Sequence, residues 1–318
     1  PAYDQYEKAR EFYRTHEYLA WIGEDESDEE TIRSASEEAL DQSENANSPA
    51  NTDSASAKIS DQPMIYPMQQ LMDYDFLMKH FYNVHTSTTA DRELMNAKNL
   101  LSKDLTLEKE DAPQILIYHT HSQETFVDSD NDPSTSIVGI GRYLTEILNN
   151  KYKIPTMHHE GVYDLINGKL DRSEAYEFAK PEVEQILAKN PSIEVVIDLH
   201  RDGVADTTHL VTEINGKPTA QIMFFNGLSR TRVNGDLVGM ANPYLQDNLA
   251  FSLQMKIAAE TKYPGFARRN YLRGYKYNMD LMPRMLLIEA GAQTNTVEEM
   301  RNAMEVLADL LNSVLTGR

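Results

Sequence analysis

Apolar residues in this chain gather into short unbroken runs and longer helix-spaced stripes, and the clearest periodicity lies after residue 112. The runs Ile115-Leu116-Ile117-Tyr118, Val195-Val196-Ile197 and Met285-Leu286-Leu287-Ile288 are too short for helices and have no polar face, so they read as strands buried on both sides. Strands are expected near 114–119, 153–157, 193–199 and 284–288. Between them, apolar positions recur at helical spacing, which predicts helices near 137–150, 173–189, 244–262 and 296–315. This alternation predicts an α/β domain with a mostly parallel sheet flanked by helices.

Local signals place several boundaries. Asn242-Pro243 offers an N-cap followed by a proline suited to the first helical position. Asn295 with Glu298 three residues on forms a capping-box variant for the last helix, Asn standing in for Ser or Thr. Between Thr208 and Phe225 two strand-like runs flank Asn215-Gly216, the pair preferred in type I′ turns, so a β-hairpin insertion is expected beside the second histidine-bearing strand.

The pattern weakens before residue 112. Residues 1–22 predict an amphipathic helix holding the only tryptophan, Trp21. Residues 23–62 contain few large apolar side chains and 12 acidic against 2 basic residues, half of the formal charge of −20. Such a segment buries too little surface to offset chain entropy and predicts a flexible acidic linker. Residues 63–111, with Leu71, Phe76, Leu77, Phe81, Tyr82 and the Leu100-Leu101 pair, predict an extension packed on a catalytic domain of residues 112–318.

The acidic balance argues against nucleic acid or an anionic membrane surface as the main partner, because phosphate contacts need clustered Lys and Arg. The absence of cysteine removes disulfides, thiolate ligands and a Cys nucleophile together, and suits an extracytoplasmic protein. No run approaches the ~18 apolar residues of a membrane span. The chain starts at Pro1 rather than Met, as expected of a trimmed or mature form whose anchor or signal segment is not seen.

The chemistry sits where the apolar runs stop. The first is followed by His119-Thr120-His121-Ser122-Gln123-Glu124, the second carries Asp198, His200, Arg201 and Asp202, and the third ends in Glu289. Open α/β sheets place ligands at the carboxyl ends of their strands. If the pleat continues through the first run, His119 and His121 share a face and both look into one cleft; Asp198 and His200 share a face of the second. His121 and Glu124 form a His-x-x-Glu unit, weak alone because that spacing arises by chance on solvated surfaces. With His200 it makes two His and one Glu, a known catalytic zinc set with an open fourth position. Asp198 or Asp202 could fix the His200 tautomer, and Glu289 is the candidate proton carrier. His158 and His159 follow another strand and are weaker candidates; His209 is expected to be structural, and His16 and His80 lie outside the alternating domain. Arg201, Arg268, Arg269 and Arg273 are either ordinary surface charge or a fork for a substrate carboxylate. The methionines read as core filler.

Ile115 to Glu124, Val196-Ile197-Asp198-Leu199-His200-Arg201-Asp202-Gly203, and above all Tyr275-Lys276-Tyr277-Asn278-Met279-Asp280 with the run from Pro283 to Thr296, resemble the stage II sporulation protein P family over roughly residues 112 to 316. The resemblance implies a zinc-dependent N-acetylmuramoyl-L-alanine amidase-like (phosphorylase/hydrolase-like) fold, with amidase and endopeptidase activity on peptidoglycan. It implies Zn2+ as cofactor and action beside stage II sporulation protein D and other septal engulfment proteins. The expected place is extracytoplasmic, at the sporulation septum, held by an N-terminal anchor that this chain does not show.

In the wider zinc amidases a Pro-Gly-His-Gly loop supplies the first His and the next helix the Glu. Here His119-Thr120-His121 replaces that loop and the helix near Ser136 to Leu148 starts without a Glu. His121, Glu124 and His200 are therefore the expected ligands, as in His-x-x-Glu carboxypeptidases, with His119 the alternative first ligand. On the amidase reading Glu289 and Arg201 are the expected catalytic residues, and Arg269, Asn278 and Arg284 the expected contacts with substrate. A zinc carboxypeptidase acting on soluble peptides would share every ligand, and a metal-free peptidoglycan-binding scaffold would need none.

Overall fold

The computed structural model describes residues 66–130 and 132–317. The helix expected over 1–22, the linker over 23–62 and the first residues of the extension lie outside the described residues. Described residues up to Asp202 and from His209 onward form one compact unit; Gly203–Thr208 falls outside it and makes a turn closed by Thr208 N–H on Ala205 O.

In chain order the main strands are β1 (Tyr82–Val84), β2 (Ile115–Tyr118), β3 (Thr156–His158), β4 (Val195–Asp202), β5 (Val211–Ile214), β6 (Lys217–Ala220), β7 (Ile222–Gly227), β8 (Asn270–Arg273) and β9 (Met285–Ala292). The helices are α1 (Met68–Leu71), α2 (Tyr74–Phe81), α3 (Ala97–Leu101), α4 (Ile137–Ile147), α5 (Ala175–Lys189), α6 (Leu245–Lys262) and α7 (Val297–Thr316). Seven strands form one sheet in the order β1-β8-β7-β9-β4-β2-β3. Neighbours are parallel except β9 against β7, so two parallel blocks meet along one antiparallel seam. The block β3-β2-β4-β9 is the sheet that the apolar runs predict.

The second block is not announced in this way. β8 is four residues, Asn270-Tyr271-Leu272-Arg273, with only Asn270 and Leu272 buried, and β1 is three. Strands this short carry too few side chains to show a period. β1 also brings the extension into the sheet: Leu77, Phe81, Leu100 and Leu272 are buried with Leu249 and Leu253 of α6. Each fully buried side chain of this size contributes about 1.5–3 kcal/mol.

β2 shows why the central runs are unbroken. Ile115 and Ile117 join Ile137, Ile140 and Leu144 of α4, whereas Leu116 and Tyr118 join Ala175, Ala179 and Val183 of α5. Both faces are dry, so neither can be polar. Hairpin β5–β6 forms with Asn215 and Gly216 both at positive φ (53° and 76°), as a type I′ turn requires. It packs on α7, where Asn302 Nδ2 donates to Pro218 O and His209 meets Glu299.

Two helix starts differ from expectation. The capping box of α7 is Thr296 with Glu299, one residue on from Asn295 and Glu298; Asn295 instead accepts Ala292 N–H and donates to Leu210 O. α6 starts at Leu245, and Asn242 Oδ1 accepts Tyr244 N–H, so Asn242-Pro243 forms a turn ahead of the helix. Among the described residues eight methionines are buried as core, although Met68 and Met72 are exposed.

Candidate metal centre

β2 ends at Tyr118, and the following loop brings His121 and Glu124 beside His200 of β4. The three offer ligand atoms all within 4.8 Å of one another, a set compatible with a metal ion. The loop is held along its length. Thr120 donates N–H to Asp198 Oδ1 (2.9 Å) and its hydroxyl to Asp198 Oδ2 (2.6 Å). Asp164, fully buried, accepts Ser122 Oγ–H and Gln123 N–H. Glu124 Oε2 accepts Arg201 N–H at 2.8 Å, tying the loop to β4 next to His200.

Glu124 faces His121 Nδ1 at 3.7 Å and His200 Nδ1 at 3.8 Å, with Arg172 Nη2 at 3.6 Å. Burial by itself would raise its pKa; the histidines and Arg172 overcome that and hold it at about 2. The two imidazoles meet edge to face, centroids 4.8 Å apart, and Tyr176 packs on both. Asn278, at a positive φ of 54°, donates to Tyr176 O at 2.6 Å and so reaches the site only through that residue.

Asp198 Oδ1 lies 2.8 Å from His200 Nε2, close in distance though poorly aligned for an N–H donor. This leaves His200 Nδ1 toward Glu124. Burial would lower the His200 pKa, but Asp198, Glu124 and Glu289 raise it to about 10. Three carboxylates around two imidazoles make a donor set suited to a cation.

Glu289 stands opposite His200 in the β9–β4 register. Its Oε2 is buried with no hydrogen-bond partner. Burial raises its pKa to about 8; His200 opposes the shift, and Asp202 and Glu124 reinforce it. A half-buried carboxyl with one oxygen sealed from solvent and its pKa pushed up, beside a metal-type cluster, is the pattern of an acid/base group.

The other expected site residues divide. His119 is fully buried on the far side of the loop, Nδ1 2.7 Å from Leu199 O and Nε2 2.9 Å from His158 Nε2. The strand pleat stops before it, so it does not share the cleft with His121, and His158 is drawn away with it. His159 contacts Tyr163, and His80 stacks near Phe76. Asp202 pairs with Arg268 at 2.6 Å rather than with His200, whose carboxylate neighbour is Asp198. Arg201 donates Nη1–H to Asp202 O. Arg269 donates to Lys79 O at the end of α2, and Arg284 pairs with Glu194 at the amino ends of β9 and β4, opposite to His200 and Glu289. Arg172, Asp164 and Tyr176 gave no signal in the sequence: each lies in or beside polar loop segments and reaches the site only through the fold.

These elements define a class, an α/β protein with a buried His-Glu-His cluster and a strand-end acid at the carboxyl ends of adjacent strands. The chain belongs to the stage II sporulation protein P family, whose sequence model matches residues 5–312. It is 26% identical over 221 residues to stage II sporulation protein P of Bacillus subtilis (strain 168), an alignment covering 64% of this chain and 51% of that protein. The chain thus spans about half the length of the curated relative it matches. Among solved structures it is similar to the CwlD amidase from Clostridioides difficile in complex with the GerS lipoprotein, at 14% identity and a TM-score of 0.40, over 64% of this chain and 100% of that one. It is likewise similar to N-acetylmuramoyl-L-alanine amidase AmiC2 of Nostoc punctiforme, at 10% identity and a TM-score of 0.40, over 64% and 97% of the two chains.

Proposed function

We propose that this protein is a zinc-dependent peptidoglycan hydrolase that cleaves the amide between N-acetylmuramic acid and L-alanine. The observation that carries this reading is the convergence of His121, Glu124 and His200, with Glu289 facing His200 from the next strand. Family membership supports peptidoglycan as the substrate class. The donor set fits a divalent cation: two imidazoles and a carboxylate in a buried cluster, with Asp198 behind one imidazole. Zinc held by these three side chains would supply Lewis acidity, polarising a carbonyl and acidifying a water.

The chain's own residues account for the rest. Glu289 takes the proton of the attacking water and returns it to the departing alanine nitrogen, a role suited to a carboxyl whose pKa lies near 8. Arg201 is proposed to stabilise the developing oxyanion with the charge of its guanidinium, next along β4 from His200. Cross-link endopeptidase activity would use the same cleft. The proposed setting is outside the cytoplasmic membrane at the sporulation septum, beside stage II sporulation protein D. Among the described residues no helix is long and apolar enough to cross a membrane.

Digestion of purified sacculi tests the reading. New L-alanine amino termini are expected from the wild type, with release reduced about 10²- to 10⁴-fold in Glu289→Gln. No new termini from the wild type, or undiminished release from the variant, would overturn it; release of single amino acids would indicate a carboxypeptidase instead.

A further inference from the structure

Two arginines flank Glu124 from different elements. Arg172, in the loop before α5, places Nη2 3.6 Å from Glu124 Oε1, too far for a hydrogen bond; Arg201, on β4, contacts Glu124 through its backbone N–H. Both side chains are partly buried, and in each the Nε is buried with no hydrogen-bond acceptor. Buried guanidinium donors without acceptors are rare because leaving them unmade is costly. The Nε–H edge of a guanidinium, with a neighbouring Nη–H, forms the fork that matches the two oxygens of a carboxylate. Glu124 does not fill these forks, since its oxygens already face His121, His200 and the Arg201 N–H.

We propose that Arg172 and Arg201 form a clamp for a carboxylate of the substrate, carried one residue beyond the scissile amide on the peptide side. The inference rests on the peptidoglycan reading for the identity of that acid: in a stem peptide it is the α-carboxylate of the second residue, D-glutamate, when that group is free rather than amidated. The α-carboxylate of the second residue lies nearly two chain steps of roughly 3.5 Å from the scissile nitrogen, within reach of groups adjoining the cluster. Arg201 would then serve twice, at the carbonyl and at the acid, whereas Arg172 would serve recognition alone.

The test reads binding. Full-chain Glu289→Gln protein is titrated with two muramoyl stem tripeptides that differ only in whether the D-glutamate α-carboxylate is free or amidated. The free acid is expected to bind roughly tenfold or more tightly. With Arg172→Gln added the preference should collapse to within about twofold, and Arg172→Lys, which keeps the charge but loses the fork, should fall between. An unchanged unfolding transition shows that the variants fold. Equal affinities in the parent protein, or a preference that survives both Arg172→Gln and Arg201→Gln, overturn the clamp. Failure to cleave sacculi with the preference intact would sink the hydrolase reading and leave the clamp standing.

Discussion

Two pairs of histidines sit back to back at the end of β2, and their surroundings could hardly differ more. His119 and His158 satisfy each other. Leu199 O can only accept, so His119 Nδ1 carries the proton and its Nε2 receives one from His158 Nε2. Burial, with help from His158, lowers the His119 pKa to about 4, and the ring stays neutral. His121 and His200 make no hydrogen bond to each other in this arrangement; they meet edge to face and both turn a nitrogen to Glu124. The first pair is a closed polar contact inside the core. The second is open: its rings face a shared carboxylate instead of each other, and the partner each ring meets, rather than residue type, separates the two pairs.

The sharpest way to break the comparison is to delete one histidine from each pair. His121→Ala should abolish zinc binding, read as metal per chain after purification without chelator, and move the unfolding free energy of metal-free protein by less than about 1 kcal/mol, because that ring sits at the cleft. His119→Ala should lower that free energy by about 2–5 kcal/mol, leaving a cavity and two unpaired polar atoms, while still binding one zinc. If both variants lose metal and stability alike, the two pairs are one network.

A smaller effect is expected from the group behind the open pair. Asp198→Asn keeps the shape but removes the charge beside His200 Nε2, and should weaken zinc affinity by about 10- to 100-fold in a competition titration. The last concerns the closed pair's packing. A Cβ at Gly141 of α4 would lie 2.5 Å from His119 Nε2 and 2.9 Å from His158 Nε2. Gly141→Ala should cost about 1–3 kcal/mol by denaturant unfolding and leave zinc stoichiometry unchanged.

Much of the architecture was legible beforehand because burial on both faces leaves no room for polar residues. The parallel block, the four long helices and the type I′ hairpin follow from that rule and from Asn215-Gly216. Strands β8 and β1 were hidden, since three or four residues buried by α6 and the extension carry no period of their own, and the apolar start of β7 was read as part of the hairpin. At the centre, His121, Glu124, His200, Asp198 and Glu289 could be proposed from strand-end position. Arg284 could not be excluded that way, because its place at the amino end of β9 appears only once strand direction is known.

The sequence by itself determined which strands would be buried and which side chains they would deliver to one edge of the sheet, since both depend on local polarity and a two-residue period. Only the tertiary structure decided which way the delivered side chains face. His119 and His121 are two residues apart and chemically identical, and the turn after Tyr118 sends one beneath α4 and the other to Glu124. That choice depends on Asp198 and Asp164 gripping the loop from 78 and 42 residues away, contacts that no local pattern records.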